Sequence, residues 1–339
     1  MSMISVITCT YNPNPKIFER VLRSVEHQLI EDFNFEYIIV DNNSNPPVSE
    51  MPCVRAFLER HTWARVITEK KQGLSYARIA GANATKGDIL VFVDDDNELA
   101  SNYISEVVKL FNQYYFVGVW GAGDITVEFP EGVPLWVEKD MKAFFLERKR
   151  HFVEYTTVVD MYSPAYPIGG GMAVKRELMT LYNHLVQNPE FKTTDRKANS
   201  GASWGDTQIN WLAIKNGFAV GVSPDLKYNH LIPQKRTSID YICNQTFDGI
   251  ATGLTAFYEI FPDLKQSYEG IKPSKRSTFL LRFFKLLITM NFNSLKIHIA
   301  GYFGGWESYY RGHRLTRPTS YRLFASFFLP IAKLRLPED

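Results

Sequence analysis

The sequence predicts an α/β fold, in which a mostly parallel sheet carries helices on both faces and a helical C-terminal region follows. Three observations support this fold class. Short apolar strands alternate with helix-length segments over residues 1–123, which is the order of βαβ units. Polar clusters directly follow several of these strands, as expected where parallel strands end beside a ligand. Beyond residue 236, helical segments replace the strand pattern.

The predicted elements follow from hydrophobic periodicity. Strands are predicted at residues 4–10, 35–43, 64–68, 88–95 and 116–123, and helices at 15–30, 74–87 and 101–114. In the first helix, Ile17, Val21, Val25 and Leu29 recur every fourth residue and define one buried face. The pattern loosens from 124 to 205, where we expect turns and a glycine loop over 163–178. A helix at 206–217, a strand "FAVGVS" and a polar segment at 224–236 complete this part.

The composition is that of a soluble globular protein. The chain has 339 residues, of which 45% are hydrophobic and 22% are charged. We expect no secretory leader, because no basic segment precedes an apolar one at the start. The apolar stretch at 323–332 is too short to span a bilayer, which takes about 20 residues. Cys9, Cys53 and Cys243 have no metal-binding spacing, so we expect reduced thiols and a cytoplasmic location.

Charge is distributed unevenly along the chain. Residues 271–339 contain 12 Lys or Arg and 3 Asp or Glu, a net +9, so the remainder carries −7 of the total +2. The segments at 275–290 and 317–337 interleave these bases with Phe and Leu. Such segments are typical of peripheral contact with an anionic membrane. They are equally compatible with a helical subdomain whose bases keep it soluble. We expect no nucleic-acid partner, because no recognition motif accompanies the charge.

Three consecutive carboxylates, Asp94, Asp95 and Asp96, follow the buried strand at 88–95. Like charges at this spacing repel each other, so a positive partner is expected. Hard divalent cations such as Mg²⁺ and Mn²⁺ take carboxylate and phosphate oxygens, and often use only one or two protein carboxylates. The alternative is a solvated loop that caps the next helix.

Other polar residues are candidates for catalysis or ligand binding. Asp206 opens a helix, where it is either a general base for an attacking hydroxyl or an ordinary N-cap. Its neighbour Trp204 stacks on a sugar ring or belongs to the core. His230, with Arg236 nearby, is a third metal ligand, a phosphate contact or a structural histidine.

Two further features concern phosphates and close backbone approach. Arg78 follows "KKQGLS" and either meets a phosphate or a base edge, or forms a surface ion pair. Gly169–Gly171 let the backbone approach a ligand closely. The chain contains neither GxxxxGK[ST] nor a complete GxGxxG, so the common phosphate-loop and dinucleotide motifs are excluded.

Together these segments resemble family 2 glycosyltransferases with the GT-A fold. The matching segments span residues 4–236, and they are "SVITCTYNP", "YIIVDNNS", "KKQGLSYARIAGANATKGDILVFVDDDNEL", "GGGMAVKREL", "WGDTQINWLAIKNGF" and "LKYNHLIPQKR". The resemblance implies inverting transfer of a sugar from a nucleotide sugar, UDP by preference, to a hydroxyl of a glycan or lipid-linked acceptor in bacterial surface polysaccharide or glycoconjugate synthesis. It divides 1–236 into a nucleotide-sugar half, 1–123, and an acceptor half, 124–236, with 237–339 as a separate helical region.

The resemblance also assigns roles to residues. Nucleotide contacts are expected from Thr8, Tyr11, Asn12, Asp41, Asn43, Arg78, Asp94 and Asp95. Asp96 would be the principal ligand of Mn²⁺ or Mg²⁺, assisted by Asp94 and His230, and Asp206 would be the catalytic base. Donor-sugar or acceptor contacts are expected from Gly170, Gly171, Trp204, Gly205 and Arg236.

This sequence departs from the family pattern in two places. "Gly205-Asp206" replaces a pair of acids, so only one carboxylate is available there. "VDNNSNP" replaces "VDDGSTD" at the end of the second strand, so the resemblance does not fix the nucleotide as uridine. Two other classes stay open: a non-catalytic glycan-binding or scaffold protein on the same fold, and a nucleotidyltransferase. The second should show a glycine-rich basic loop after the first strand, where this chain has "TCTYNPNPK".

Overall fold

A computed structural model of the chain describes residues 3–29, 34–188, 191, 193, 204–268 and 270–337. These residues form two compact units. The first comprises Met1–Phe191 and Gly205–Gln234, and the second comprises Lys192–Trp204 and Lys235–Asp339. Within the described ranges, every helix is too short or too polar to cross a membrane.

The first unit alternates strands and helices. Its strands are β1 (Met3–Thr10), β2 (Asn34–Asp41), β3 (Ala64–Thr68), β4 (Ile89–Asp94), β5 (Asn97–Leu99), β6 (Val117–Glu128), β7 (Arg148–Lys149), β8 (Glu154–Thr156), β9 (Met172–Lys175) and β10 (Ala219–Leu231). Its helices are α1 (Pro15–Glu26), α2 (Pro52–Arg60), α3 (Leu74–Ala84), α4 (Tyr103–Gln113), α5 (Leu135–Asp140), α6 (Arg176–Gln187) and α7 (Gly205–Lys215).

All the strands belong to one sheet with the order β3-β2-β1-β4-β9-β6-β10-β5. The strands β3, β2, β1 and β4 run parallel to one another, and β10 is parallel to β6. Because β9 is antiparallel to both β4 and β6, the two parallel groups run in the same direction. Short β7 and β8 add antiparallel pairs to β6 and β10. The predicted mostly parallel sheet is therefore confirmed.

The first helix is shorter than predicted. Its buried face contains Ile17, Val21 and Val25, as the fourfold spacing indicates. The helix ends at Glu26, and Leu29 lies beyond it with 57% of its surface exposed. The backbone amide of Leu29 bonds instead to the carbonyl of Ser101, so the prediction of a helix over 15–30 with Leu29 in its core face was wrong.

Two strands are longer than predicted. β6 continues to Glu128 through the segment expected to be turns. β10 continues to Leu231, beyond the predicted strand "FAVGVS" and into the segment at 224–236 to which no strand was assigned. These extensions pair with each other, and the register shifts between Ser223 and Lys227, next to Pro224. A proline lacks the amide that a regular ladder needs, so the sequence signal for a loop marks a bulge inside a strand.

The amino end of the sheet is locked by a buried carboxylate. Glu36 of β2 accepts hydrogen bonds from the Ser5 hydroxyl (2.7 Å) and from the backbone amide of Lys86 (2.6 Å). Arg65 adds an ion pair at 3.2 Å. The amide of Gly87 donates to the Ser5 hydroxyl at 2.8 Å, and a Cβ on Gly87 would lie 2.6 Å from the Ser5 nitrogen. Only glycine fits there.

The second unit is helical in its described part. Its helices are α8 (Ile239–Ala251), α9 (Gly253–Ile260), α10 (Lys265–Tyr268), α11 (Arg276–Ile288), α12 (Phe292–Gly312) and α13 (Thr319–Phe328). Aromatic rings dominate its core: the Phe279 ring stacks on Tyr302 with centroids 4.3 Å apart. Glu307 is fully buried and accepts hydrogen bonds from Arg317 (2.8 Å) and from the Tyr321 hydroxyl (3.1 Å). A buried charge is tolerated because it is paired.

Candidate functional site

The carboxyl ends of three strands meet at one edge of the sheet. β1 lies between β2 and β4, and Thr10 pairs in register with Asp41 while Cys9 pairs with Asp94. The Thr10 hydroxyl donates a 2.5 Å hydrogen bond to Asp95. The polar residues that follow these strands therefore share one edge, as the parallel order predicts.

Two of the predicted nucleotide contacts are buried and bonded to their own chain. Asp41 accepts hydrogen bonds from the backbone amides of Ser44 (2.8 Å) and Val48 (3.0 Å). Thr8 accepts one from the Tyr37 hydroxyl at 2.9 Å. Asp41 thus fixes the loop after β2, because each of its oxygens binds one amide of that loop. An oxygen of a carboxylate accepts about two hydrogen bonds, so Asp41 retains capacity for a ligand.

The three neighbouring candidates form the outer part of this edge. Tyr11 is exposed. The backbone N–H of Asn12 donates to the Ser44 hydroxyl at 2.9 Å. The side-chain oxygen of Asn12 accepts from the backbone N–H of Asn45 at 2.9 Å. Asn12 and Asn43 both have positive φ, +48° and +67°, a conformation that asparagine tolerates better than most residues. The loops after β1 and β2 are therefore joined directly.

The acidic triplet is shaped by the residue that follows it. The side-chain oxygen of Asn97 accepts a 3.3 Å hydrogen bond from the Asp94 amide, and its nitrogen donates to the Asp96 carboxylate at 3.2 Å. Asp96 and Asn97 are buried, whereas Asp94 and Asp95 are partly exposed. Asn97 thus fixes the turn between β4 and β5 and orients Asp96.

His230 lies beside the acidic triplet. Its Nε2 is 3.7 Å from an Asp96 oxygen, and its Nδ1 is 2.8 Å from the Phe145 carbonyl oxygen. A carbonyl only accepts, so Nδ1 carries a proton and donates it to Phe145, while Nε2 faces Asp96. Among the described residues no group of three or more His, Cys, Asp or Glu side chains could hold a metal. Two side chains suit Mg²⁺ or Mn²⁺ when phosphate oxygens complete the ligand set.

Asp206 is held at the first turn of α7. One of its oxygens accepts from the Thr207 amide at 2.7 Å, and the other accepts from the Gly169 amide at 2.9 Å. Arg78, which is 2% exposed, approaches the same glycine. A Cβ built on Gly169 would lie 3.5 Å from the Arg78 guanidinium carbon and 3.6 Å from Asp206. Gly169 therefore lies between Arg78 and Asp206.

The next two glycines, Gly170 and Gly171, pack against residues near the acidic triplet. A Cβ on Gly170 would lie 2.8 Å from the Tyr228 hydroxyl and 3.1 Å from the Asn97 amide carbon. Gly171 has φ +70°, and its carbonyl accepts a 2.6 Å hydrogen bond from Tyr103. This three-glycine segment thus runs from Asp206 to the residue that orients Asp96, and it brings the two predicted acidic centres into one site.

Sequence reasoning missed several residues of this site. Burial lowers the pKa of Arg148, whose charge interacts with Tyr228 and Asp206. Burial raises the pKa of Tyr228 well above its usual range, so Tyr228 stays a neutral hydroxyl. Asn97 orients the triplet, as described above. Arg148 is half-buried and lies in the basic run "ERKRH", where nothing in the sequence distinguishes it from the neighbouring bases.

The remaining candidates lie where the chain passes from one unit to the other: Gly205 belongs to the first unit, and Trp204 and Arg236 belong to the second. Gly205 is buried as the first residue of α7. Trp204 belongs to the second unit, where its indole N–H donates a 2.6 Å hydrogen bond to the Gly249 carbonyl. Arg236 ends the 3-10 turn Gln234–Arg236 and belongs to the same unit.

Comparison with known proteins identifies the fold. The structure of the mannosyltransferase PcManGT from Pyrobaculum calidifontis, in complex with GDP-Man and Mn²⁺, matches with a TM-score of 0.53 and 15% identity, over 91% of this chain and 87% of that one. TarS 1-349 from S. aureus, in complex with UDP-GlcNAc, gives a TM-score of 0.48 and 13% identity, over 92% and 90%. The match to PcManGT shows that the sheet and helices described above have the GT-A fold.

The sequence itself matches a family model. The model described as "Glycosyl transferase family 2" covers residues 5–180, which include the β1, β2 and β4 edge, the acidic triplet and the three-glycine segment. The chain therefore belongs to glycosyl transferase family 2.

Proposed function

We propose that this protein is an inverting glycosyltransferase. It transfers a sugar from a nucleoside diphosphate sugar, with UDP as the preferred carrier, to a hydroxyl of a glycan or lipid-linked acceptor. Membership of the family supports glycosyl transfer in general. The pathway that we propose is the synthesis of a cell-surface polysaccharide or glycoconjugate.

One observation carries the proposal. The three-glycine segment contacts Asp206 through the Gly169 amide, and one residue later Gly170 packs against Asn97, which orients Asp96. A general base and a candidate cation ligand therefore share a site. Sugar transfer needs both groups, one for the attacking hydroxyl and one for the leaving diphosphate, whereas a binding protein needs neither.

The proposed reaction is a single displacement. The acceptor oxygen bonds to the anomeric carbon as its proton passes to the Asp206 carboxylate. The bond between that carbon and the diphosphate oxygen breaks in the same step, so the anomeric configuration inverts and no glycosyl-enzyme forms. The amides of Gly169 and Thr207 hold one oxygen of Asp206 each, which fixes the carboxylate plane. Each oxygen keeps acceptor capacity for the hydroxyl.

Asp96 and His230 would hold the divalent cation, with Asp94 as a further oxygen donor. When bound, Mg²⁺ or Mn²⁺ supplies charge that stabilises the leaving diphosphate. Arg78 is proposed to bind the nucleotide phosphates, because its guanidinium is buried beside the three-glycine segment and a guanidinium binds phosphate oxygens well. We propose that Arg148, missed by sequence reasoning, also serves the donor side.

The other residue assignments are part of the same proposal. Residues 1–123 bind the donor through Thr8, Tyr11, Asn12, Asp41, Asn43 and Asp95, and residues 124–236 bind the acceptor. Gly170, Gly171, Trp204, Gly205 and Arg236 contact the donor sugar or the acceptor. The thiols of Cys53 and Cys243 are free, which suits a reducing compartment, so we propose that the enzyme acts in the cytoplasm.

The test is sugar transfer and donor hydrolysis across a panel of UDP-, GDP- and dTDP-sugars, with Mn²⁺, Mg²⁺ or a chelator. We expect one donor to be turned over in a metal-dependent way. Asp96→Ala should abolish turnover and weaken binding of that donor. Asp206→Asn should keep donor binding but lower kcat by about 10²- to 10⁴-fold, the usual contribution of a general base.

Asp225→Asn is the matched control, because Asp225 is an exposed aspartate of the bulged part of β10. It should leave turnover unchanged. Full transfer activity in Asp206→Asn would remove Asp206 as the base. Glycan binding without turnover of any donor would favour the scaffold hypothesis.

A further inference from the structure

The helices α11 and α13 have apolar side chains on two opposite faces. On α11, Phe279 and Phe283 are buried in the core of the second unit. Leu281, Phe284 and Ile288, at spacing i, i+3 and i+7, lie on the other side and are 76%, 53% and 79% exposed. Residues at this spacing share one helix face, so α11 presents an apolar stripe to the outside.

The helix α13 repeats this arrangement. Tyr321 and Ala325 are buried, whereas Leu323 and Phe327, four residues apart, are 60% and 76% exposed. The two helices are neighbours, because the Phe283 and Phe328 rings lie 5.0 Å apart. Phe284 and Phe327, the chain neighbours of these two rings, are exposed, so each of the two neighbouring helices carries an outward apolar stripe. We call these five exposed residues, Leu281, Phe284, Ile288, Leu323 and Phe327, the apolar stripe.

Basic residues flank the apolar stripe. Arg282 and Lys285 on α11 and Arg322 on α13 are exposed. The only acid among residues 271–337 is Glu307, which is fully buried against Arg317. Every exposed charged side chain among residues 271–337 is therefore basic.

This combination fits one kind of partner. Large apolar side chains exposed together on neighbouring helices are typical of a binding surface. An apolar stripe between bases matches the boundary of a bilayer, where acyl chains lie beneath anionic head groups. A second copy of the chain fits poorly, because a symmetric contact would oppose each basic flank to an identical one.

We propose that the apolar stripe docks the second unit onto a membrane that contains anionic lipids. Leu281, Phe284 and Phe327 enter the acyl boundary, and Arg282, Lys285 and Arg322 pair with lipid phosphates. This inference goes beyond the proposed function, because docking requires no sugar transfer. It combines the two sequence hypotheses for 275–339, a packed subdomain on the inner faces and lipid contact on the outer faces.

The test is sedimentation of the full-length protein with vesicles of phosphatidylcholine alone or mixed with phosphatidylglycerol. We expect binding to the mixed vesicles that weakens as salt rises. The double variant Phe284→Ser/Phe327→Ser should bind at least about tenfold more weakly, since each phenyl ring contributes apolar burial. Phe152→Ser is the matched control, because Phe152 is also 76% exposed but belongs to the first unit. It should bind like the wild type.

A second pair of variants separates charge from apolar insertion. Arg282→Gln/Lys285→Gln should lose the preference for phosphatidylglycerol, whereas Lys139→Gln on α5 should keep it. Equal binding of the wild type and the Phe284→Ser/Phe327→Ser variant would overturn the proposal. So would a wild-type dimer, seen by light scattering, that this variant breaks while vesicles bind neither protein.

Discussion

Gly169 offers a sharp test of the site, because it lies between the two charged groups to which we assign roles. The change is Gly169→Ala. No left-handed φ constrains this residue, so the backbone accepts alanine. The added Cβ would lie 3.5 Å from the Arg78 guanidinium carbon and closer still to Nη2, with Asp206 at 3.6 Å. Arg78 is 2% exposed and cannot swing into solvent, so its guanidinium or the glycine segment must shift.

The size of the effect follows from this crowding. Overpacking of a buried site by one methyl group costs about 1–3 kcal/mol, which the protein tolerates. A displacement of about 1 Å in a catalytic site lowers the rate by about 10²-fold. We therefore expect Gly169→Ala to lower kcat by about that factor, with an unfolding free energy reduced by only about 1–3 kcal/mol.

The assay compares kcat, KM for the donor, and urea unfolding in the wild type and the variant. Gly249→Ala is the control, because a Cβ at Gly249 meets nothing within 4 Å, and alanine favours the helix that contains it. That variant should keep both activity and stability. A Gly169→Ala enzyme with wild-type kcat would refute the idea that Arg78 and Asp206 act in a fixed geometry.

Two further predictions concern stability. Glu307→Gln should lower the free energy of unfolding by about 3–5 kcal/mol, because it leaves buried Arg317 without its counter-charge. The control is Asp240→Asn, which breaks an exposed ion pair of similar length (2.7 Å) with Lys333 and should lower the free energy of unfolding by under about 1 kcal/mol. Equal losses of the two variants in urea unfolding would contradict the burial argument. Burial alone would raise the pKa of Glu36, but hydrogen bonds from Lys86 and Ser5 and the ion pair with Arg65 outweigh burial and hold the pKa below the usual 4.5. The ionised carboxylate therefore stabilises the fold above pH 4.5, and this stabilisation is lost as the pH falls through the lowered pKa. The difference in unfolding free energy between the wild type and Glu36→Gln should shrink below pH 4.5, and a difference that stays constant with pH would show that ionisation is irrelevant.

The sequence predicted the parallel part of the fold because each of its elements carries its own signal. β4 is apolar from Ile89 to Val93, and the buried face of α1 repeats every fourth residue. The extension of β10 was missed because Pro224 and nearby polar residues resemble a loop. A bulge accommodates the proline, and only pairing with β6 keeps the strand in place. Tertiary pairing of this kind leaves no local signature.

In the site, too, only some residues could be predicted from the sequence. Asp96 and Asp206 were found because carboxylates at strand and helix ends are conspicuous in a sequence. Arg148 and Tyr228 were not, since their importance comes from burial and from neighbours distant along the chain. Asn97 adjoins the triplet, but its role depends on the bend that returns its side chain to Asp94.

The close packing of Gly87 against Ser5 at the amino end of the sheet has a consequence for recognising relatives of this chain. Gly87 stands in the segment "ATKGDILVFVDDD", whose acidic end lies at the site, but the glycine meets Ser5 and Met3 at the opposite end of the strands. One stretch of sequence thus records two separate demands, steric fit at its start and chemistry at its end. A homologue that had lost sugar transfer would still need the glycine. Inheritance of the activity is therefore better judged from the carboxylates than from the glycine that accompanies them.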